Sequence, residues 1–131
     1  RAHMYRKIGE EFIADDFAHE QSVVFETGKG LVIFNSCSHG GIVNIVREVQ
    51  MALGGQKVYA VVGGFHMMKL SGMDTLAIPE EEVVETAQEL KGLGVEEIYT
   101  GHCTGNIAFR ILKKELGEMV HALGTGETVV F

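Results

Sequence analysis

Lys57-Val58-Tyr59-Ala60-Val61-Val62-Gly63-Gly64-Phe65-His66 is an almost unbroken apolar run that closes on two glycines and a histidine. A strand with one wet face alternates apolar and polar residues. A strand that is apolar throughout reads as covered on both faces, the pattern of a parallel strand inside an α/β sheet. Upstream, Ser22 to Thr27 and Leu31 to Asn35 are β-branched and aromatic runs separated by Gly28-Lys29-Gly30, the signature of an antiparallel hairpin. Between that hairpin and the central strand lies a loop of small residues, Ser36 to Gly41. Ile42, Ile45, Val46, Val49 and Leu53 then recur at helical spacing until Gly54-Gly55.

Downstream, Pro79 suits the first turn of a second helix, with Glu80, Glu81 and Glu82 at its positive end and Val83, Ala87 and Leu90 as its buried stripe. Glu97 to Thr100 reads as a strand and Asn106 to Leu116 as a third helix, with Ile107, Ile111 and Leu112 inward. Glu127 to Phe131 reads as a closing strand. The expected order is β-β-α-β-α-β-α-β, a mixed sheet of the α/β class. Right-handed crossovers between neighbouring strands put every helix on one face. The second face of the Val58 to Val62 strand still asks for apolar cover, so the sequence predicts a missing layer, supplied by another domain or a second copy.

The chain has 131 residues, 46% hydrophobic and 22% charged, the size and balance of one domain. Arg1 to Met4 reads as a cloning remnant, leaving residues 5–131 as a single domain. Eighteen acidic residues against eleven basic ones give a net charge of −7, which disfavours phosphate backbones and anionic lipid. No apolar run reaches the ~18 residues of a membrane span, and the N-terminus lacks the apolar stretch expected of a secretion signal. Cys37 and Cys103 fall in no CxxC pattern, so reduced thiols in the cytoplasm are expected.

Three histidines stand where strands hand over to loops: His39, His66 and His102. In an open α/β sheet the carboxyl ends of the strands meet at one edge, so these residues can converge despite their separation. Imidazole ligates zinc, iron and related metals, and Asp15, Asp16, Glu20 and Asp74 are available carboxylates. Any one of these histidines alone reads more readily as a hydrogen-bonded loop residue than as a ligand. Their equivalent placement is what points to a divalent metal, with zinc first and iron or manganese as alternatives. His66 and Asp16 are candidate acid/base groups. Cys37 and Cys103, beside His39 and His102, are small packing residues or, alternatively, thiolate ligands or nucleophiles. Thr104 and Gly105 could offer a hydroxyl and backbone N–H groups to an anion, or simply cap a helix. The methionine-rich segment Met67 to Ile78 suits a lid or partner surface, or packing against the missing layer. His19 and His121 read as surface residues.

Asp15-Asp16-Phe17 with Glu20-Gln21, Asn35-Ser-Cys-Ser-His39-Gly-Gly-Ile-Val-Asn44, Val62-Gly-Gly-Phe-His66 and Gly101-His102-Cys-Thr-Gly105 occur in an order that resembles one branch of the metallo-β-lactamase superfamily. That branch includes the dihydropterin-forming synthase of methanopterin biosynthesis. The resemblance implies the C-terminal half of an αββα sandwich, with His39 and His102 as metal ligands and His66 near a bridging position. The family's HxHxDH motif belongs to the other half and is absent from this chain. The implied function is the C-terminal half of a metal-dependent hydrolase or pterin-synthase-like enzyme, inactive without its HxHxDH half and acting on a small molecule once complete. The alternative is a non-catalytic half-domain that self-associates as a homodimer.

Overall fold

The computed structural model describes residues 4–131, so Arg1, Ala2 and His3 of the expected remnant lie outside the described residues. A hairpin unanticipated from the sequence comes first: β1 (Tyr5–Ile8) and β2 (Glu11–Ala14) pair antiparallel about a turn in which Gly9 takes φ 62°. The expected core follows as β3 (Ser22–Thr27), β4 (Gly30–Asn35), α1 (Ile42–Ala52), β5 (Val58–Gly63), α2 (Glu80–Gly92), β6 (Glu97–Thr100), α3 (Asn106–Leu116) and β7 (Val120–Ala122). The five-stranded sheet runs β3-β4-β5-β6-β7, antiparallel at β3–β4 and parallel elsewhere.

Each parallel connection carries one helix, and the three helices pack on one sheet face as right-handed crossovers require. The main core lies there. Leu31, Ile33, Val61, Ile98 and Val120 from the sheet meet Ile45 and Val46 of α1, Val83, Ala87 and Leu90 of α2, and Ala108, Leu112 and Leu116 of α3. The inward stripe of α3 is thus Ala108-Leu112-Leu116, while Ile107 and Ile111 sit at its flank, half-buried. Glu80, Glu81 and Glu82 open α2 and Lys91 closes it, both favourable to the helix dipole.

Between Leu31 and Val32 the β4–β5 register slips by one residue. This bulge lets Val58 and Val61, three apart, both face the helices, while Ala60 and Val62 face the other side. The continuous apolar run of β5 follows from that double burial.

The closing strand is corrected by the structure. Residues 127–131 form no strand, and the last one is Val120–Ala122, with Val120 opposite Ile98. Eleven helical residues carry α3 back about 16 Å along the sheet. Gly117, at φ 60°, then turns the chain directly into the edge position, where Val120 is buried. The apolar tail instead crosses the second sheet face, where Phe131 meets Phe34 and Tyr99 edge-on at 6.1 and 5.6 Å. It therefore provides part of the cover that the sequence demanded of another layer. Val23 and Phe25 on the same sheet stay 56% exposed. Among the described residues no helix is long and apolar enough to cross a membrane.

Leu112→Ala removes a fully buried side chain and should lower unfolding free energy by about 2–5 kcal/mol in denaturant titration. Leu70→Ala, at a fully exposed position, should change it by less than about 0.5 kcal/mol.

A candidate metal centre at the sheet edge

The parallel register aligns Asn35 with Gly63 and Gly63 with Thr100. The strands β4, β5 and β6 therefore end abreast, and the loops carrying His39, His66 and His102 leave from one edge. In each loop a non-glycine residue adopts a left-handed backbone: Ser38 (φ 50°), His66 (φ 52°) and His102 (φ 50°). Such conformations cost on the order of 1 kcal/mol each and persist where the surroundings dictate them.

Buried hydrogen bonds do the dictating. Asn35 accepts from Ser38 N through Oδ1 and donates to Ser22 Oγ through Nδ2, both at 2.9 Å. Thr100 Oγ1 donates to Gly63 O at 2.8 Å and lies 2.6 Å from Thr104 Oγ1, which accepts from Phe65 N at 2.9 Å. With the Thr100 proton used on Gly63 O, the Thr104 hydroxyl donates to Thr100, and the network is satisfied. A Cβ at Gly63 would overlap Asn35 O, so only glycine fits that rung.

Phe17, stacked on His39 with centroids 5.3 Å apart, and Glu20 buttress His39 from the loop after β2. Asp15 Oδ1 accepts from Phe17 N, shaping that loop, and Phe17 is the fourth left-handed residue (φ 55°). Glu20 accepts from His39 N (2.6 Å) and Gly40 N (2.9 Å) at the entrance to α1, where the helix dipole favours an anion. Its Oε1 is also 3.3 Å from His39 Nδ1. A carboxylate on Nδ1 favours the proton there, the outer-shell arrangement that in metal-binding histidines leaves Nε2 to ligate. The His66 ring meets His39 edge-on at 4.5 Å.

His102 turns Nδ1 toward Cys37 Sγ at 3.6 Å, and Cys103 Sγ accepts from His66 N at 3.3 Å. Cys37, His102 and Cys103 each offer a donor atom within 4.8 Å of the others. Burial pushes the Cys103 thiol up to about 12, which excludes a free nucleophilic thiolate at neutral pH. Such a thiol yields its proton to a strong competitor, a bound cation above all.

The structure thus brings His39, His66 and His102 to one edge. Asp16 is engaged elsewhere: its Oδ1 takes a 2.9 Å bond from Arg6 and one from Ala18 N, at the rim of a cleft of about 610 Å³ shared with Glu20 and Phe17. The carboxylate that touches His39 is that of Glu20. Thr104 offers nothing to an anion, because its hydroxyl is fully buried and internally bonded; the N–H of Gly105 goes to His102 O and that of Asn106 to Met73 O. The Met67–Ile78 segment is tied down by Met67 and Met68 N–H bonds to Cys103 O, with Met67 in the core. A second cleft, of about 640 Å³, runs from His66 between α1 and α2 past Arg47 and Glu82. His121, read as a surface residue, bonds Glu97 at 2.6 Å and stacks on Tyr99.

The donors suit a divalent transition ion. The imidazole of His102 meets two thiols, the rings of His39 and His66 meet each other with the Glu20 carboxylate at His39, and the fully buried Ser38 Oγ has no hydrogen-bond partner among the described residues. Thr104→Val would strand the Phe65 N–H and should cost about 1–3 kcal/mol, read as an unfolding midpoint shift at unchanged m-value.

No protein-family profile matches the chain. It is 36% identical over 128 residues to the 7,8-dihydropterin-6-methyl-4-(beta-D-ribofuranosyl)-aminobenzene-5'-phosphate synthase of Methanocaldococcus jannaschii, a match covering 98% of this chain and 41% of that protein. It also superposes on a crystal structure of a metal-dependent hydrolase of the beta-lactamase superfamily with a TM-score of 0.84 and 30% identity, over 97% of this chain and 46% of that one. The chain spans less than half the length of either relative.

Proposed function

We propose, from the premise that this chain is a metallo-β-lactamase-like half-domain, that it supplies one wall of a divalent-metal site and acts as the C-terminal half of a metal-dependent hydrolase or pterin-synthase-like enzyme in the cytoplasm. The observation that carries this reading is the setting of His39, held at Nδ1 by Glu20 and packed edge-on against His66. His39, His66 and His102 would hold the ion, with zinc favoured and iron or manganese as alternatives. A divalent ion there supplies Lewis-acid polarisation of the scissile group and a lowered pKa for water. Glu20 orients His39. His66 serves as ligand or proton carrier. Asp16, on the rim of the neighbouring cleft, handles a second proton once Arg6 releases it.

The chain contains no HxHxDH sequence, so the remaining ligands come from a second half, and the chain alone is inactive. The substrate is a small molecule bound where the halves meet. Replacing His39 or His102 by Ala should lower the metal content and turnover of the assembled protein at least ~100-fold, measured by elemental analysis and activity assay. Unchanged values for both variants would falsify the assignment.

A second reading is favoured by the other face of the sheet. Phe25, Phe34, Tyr59, Tyr99 and Phe131 form an aromatic surface there, with Phe25 edge-on to Phe34 at 5.6 Å and still largely exposed. In this reading the chain is a non-catalytic module that pairs with a second copy through that face. Light scattering should then give about twice the 14.3 kDa chain mass, and Phe25→Asp should return the monomer. A monomeric parent chain rules the pairing out.

A further inference from the structure

We infer that the chain holds an ion site complete within itself, formed by Cys37 Sγ, Cys103 Sγ and His102 Nδ1, for one borderline-soft cation of the zinc class. The three donors come from two loops that the sheet register brings together, 65 and 66 residues apart for the Cys37 pairs, and all lie within 4.8 Å of one another. Tetrahedral zinc has bonds of about 2.3 Å to sulfur and about 2.05 Å to imidazole nitrogen, which sets the S···N edge near ~3.6 Å and the S···S edge near ~3.8 Å. The Cys37 Sγ to His102 Nδ1 separation is 3.6 Å.

The surroundings are those of a ligand set. Cys103 Sγ accepts the His66 N–H, the kind of outer-shell bond that steadies a metal-bound sulfur. Gly64 makes room for that sulfur, since a Cβ there would come within 2.5 Å of Cys103 Sγ. His102 takes a left-handed backbone conformation at the start of its short 3₁₀ turn, His102–Thr104, with its side chain exposed. Two sulfurs and one imidazole without a carboxylate exclude magnesium and calcium, which take oxygen ligands. Three protein ligands leave a fourth position open to water or a small ligand, the pattern of a reactive zinc centre. The half-site reading shares only His102 with this site, which needs neither His39 nor His66.

The test is titration of the metal-free chain, kept reduced, with Co(II) followed by Zn(II). One Co(II) should bind per chain with an intense near-ultraviolet sulfur-to-cobalt charge-transfer band, and Zn(II) should displace it. Cys37→Ser should weaken binding at least ~100-fold and abolish the band, while His39→Ala should retain both. Cobalt bound without the band, no cobalt bound, or wild-type binding by Cys37→Ser overturns the proposal. Cys103→Ser, at a buried position, is compared by circular dichroism first; should it misfold, the half-exposed Cys37 carries the test alone. Loss of cobalt in His39→Ala with cobalt binding by Cys37→Ser intact would assign the ion to the histidine half-site and reject the thiolate site. A site that fails here leaves the effect of His39→Ala on the assembled protein to be judged separately.

Discussion

Asn35, Gly63 and Thr100 stand side by side on one rung of the parallel sheet, and the chemistry at its edge depends on that alignment. Parallel strands point the same way, so their exits gather at one edge. Here they also end level, which places His39, His66 and His102 four, three and two residues beyond the rung. Gly63 lets the Asn35 backbone pass where a side chain would sit. Thr100 and Thr104 then pin the Gly63–Phe65 backbone from the next strand. A slip of one residue in the register would unmake all of these contacts together.

The three-helix layer gives this edge its rigidity. Fully buried residues on β4, β5 and β6 lock the strands against α1, α2 and α3, so the loops start from fixed points and can hold unfavourable backbone angles. Ligand geometry needs tolerances near ~0.5 Å, and a packed sheet edge provides them better than free loops. The opposite face is built differently: its aromatic surface is only partly covered by the chain's own C-terminal residue. One molecule thus pairs a finished core on one side with a partly exposed aromatic face on the other. That division fits a chain whose relatives are more than twice as long.

Glu20 and the cysteines show how donors of different kinds are sorted. Glu20 reaches across 19 residues to bind the His39 backbone and ring, acting as an anion at a helix start and as the orienter of an imidazole. The sulfurs gather on the side of His102. The same edge therefore presents a carboxylate-supported imidazole pair and a thiol–imidazole cluster, donor sets that differ in the ions they prefer.

What the sequence determined by itself is everything that repeats over a few residues. The apolar run from Val58 to Val62, the helical spacing of Ile42, Ile45 and Val46, the Pro79 helix start and the strand-end placement of three histidines are local patterns, and the structure contains each of them. Tertiary structure decided what depends on register and direction. The stretch Thr128-Val-Val-Phe131 has the composition of a strand, yet the edge position was already taken by Val120, so the tail became cover for the aromatic face. Tyr5 to Ala14 shows no clean alternation, yet it forms the hairpin that leads into the Glu20 loop. Among the carboxylates Asp16 reads from sequence as the acid/base candidate, with Asp15 and Glu20 merely available; the fold gives Glu20 to His39 and Asp16 to Arg6. The meeting of Cys37 with Cys103 was likewise invisible, because periodicity acts within one element, whereas contacts 66 residues apart are set by which strands lie adjacent and where they end.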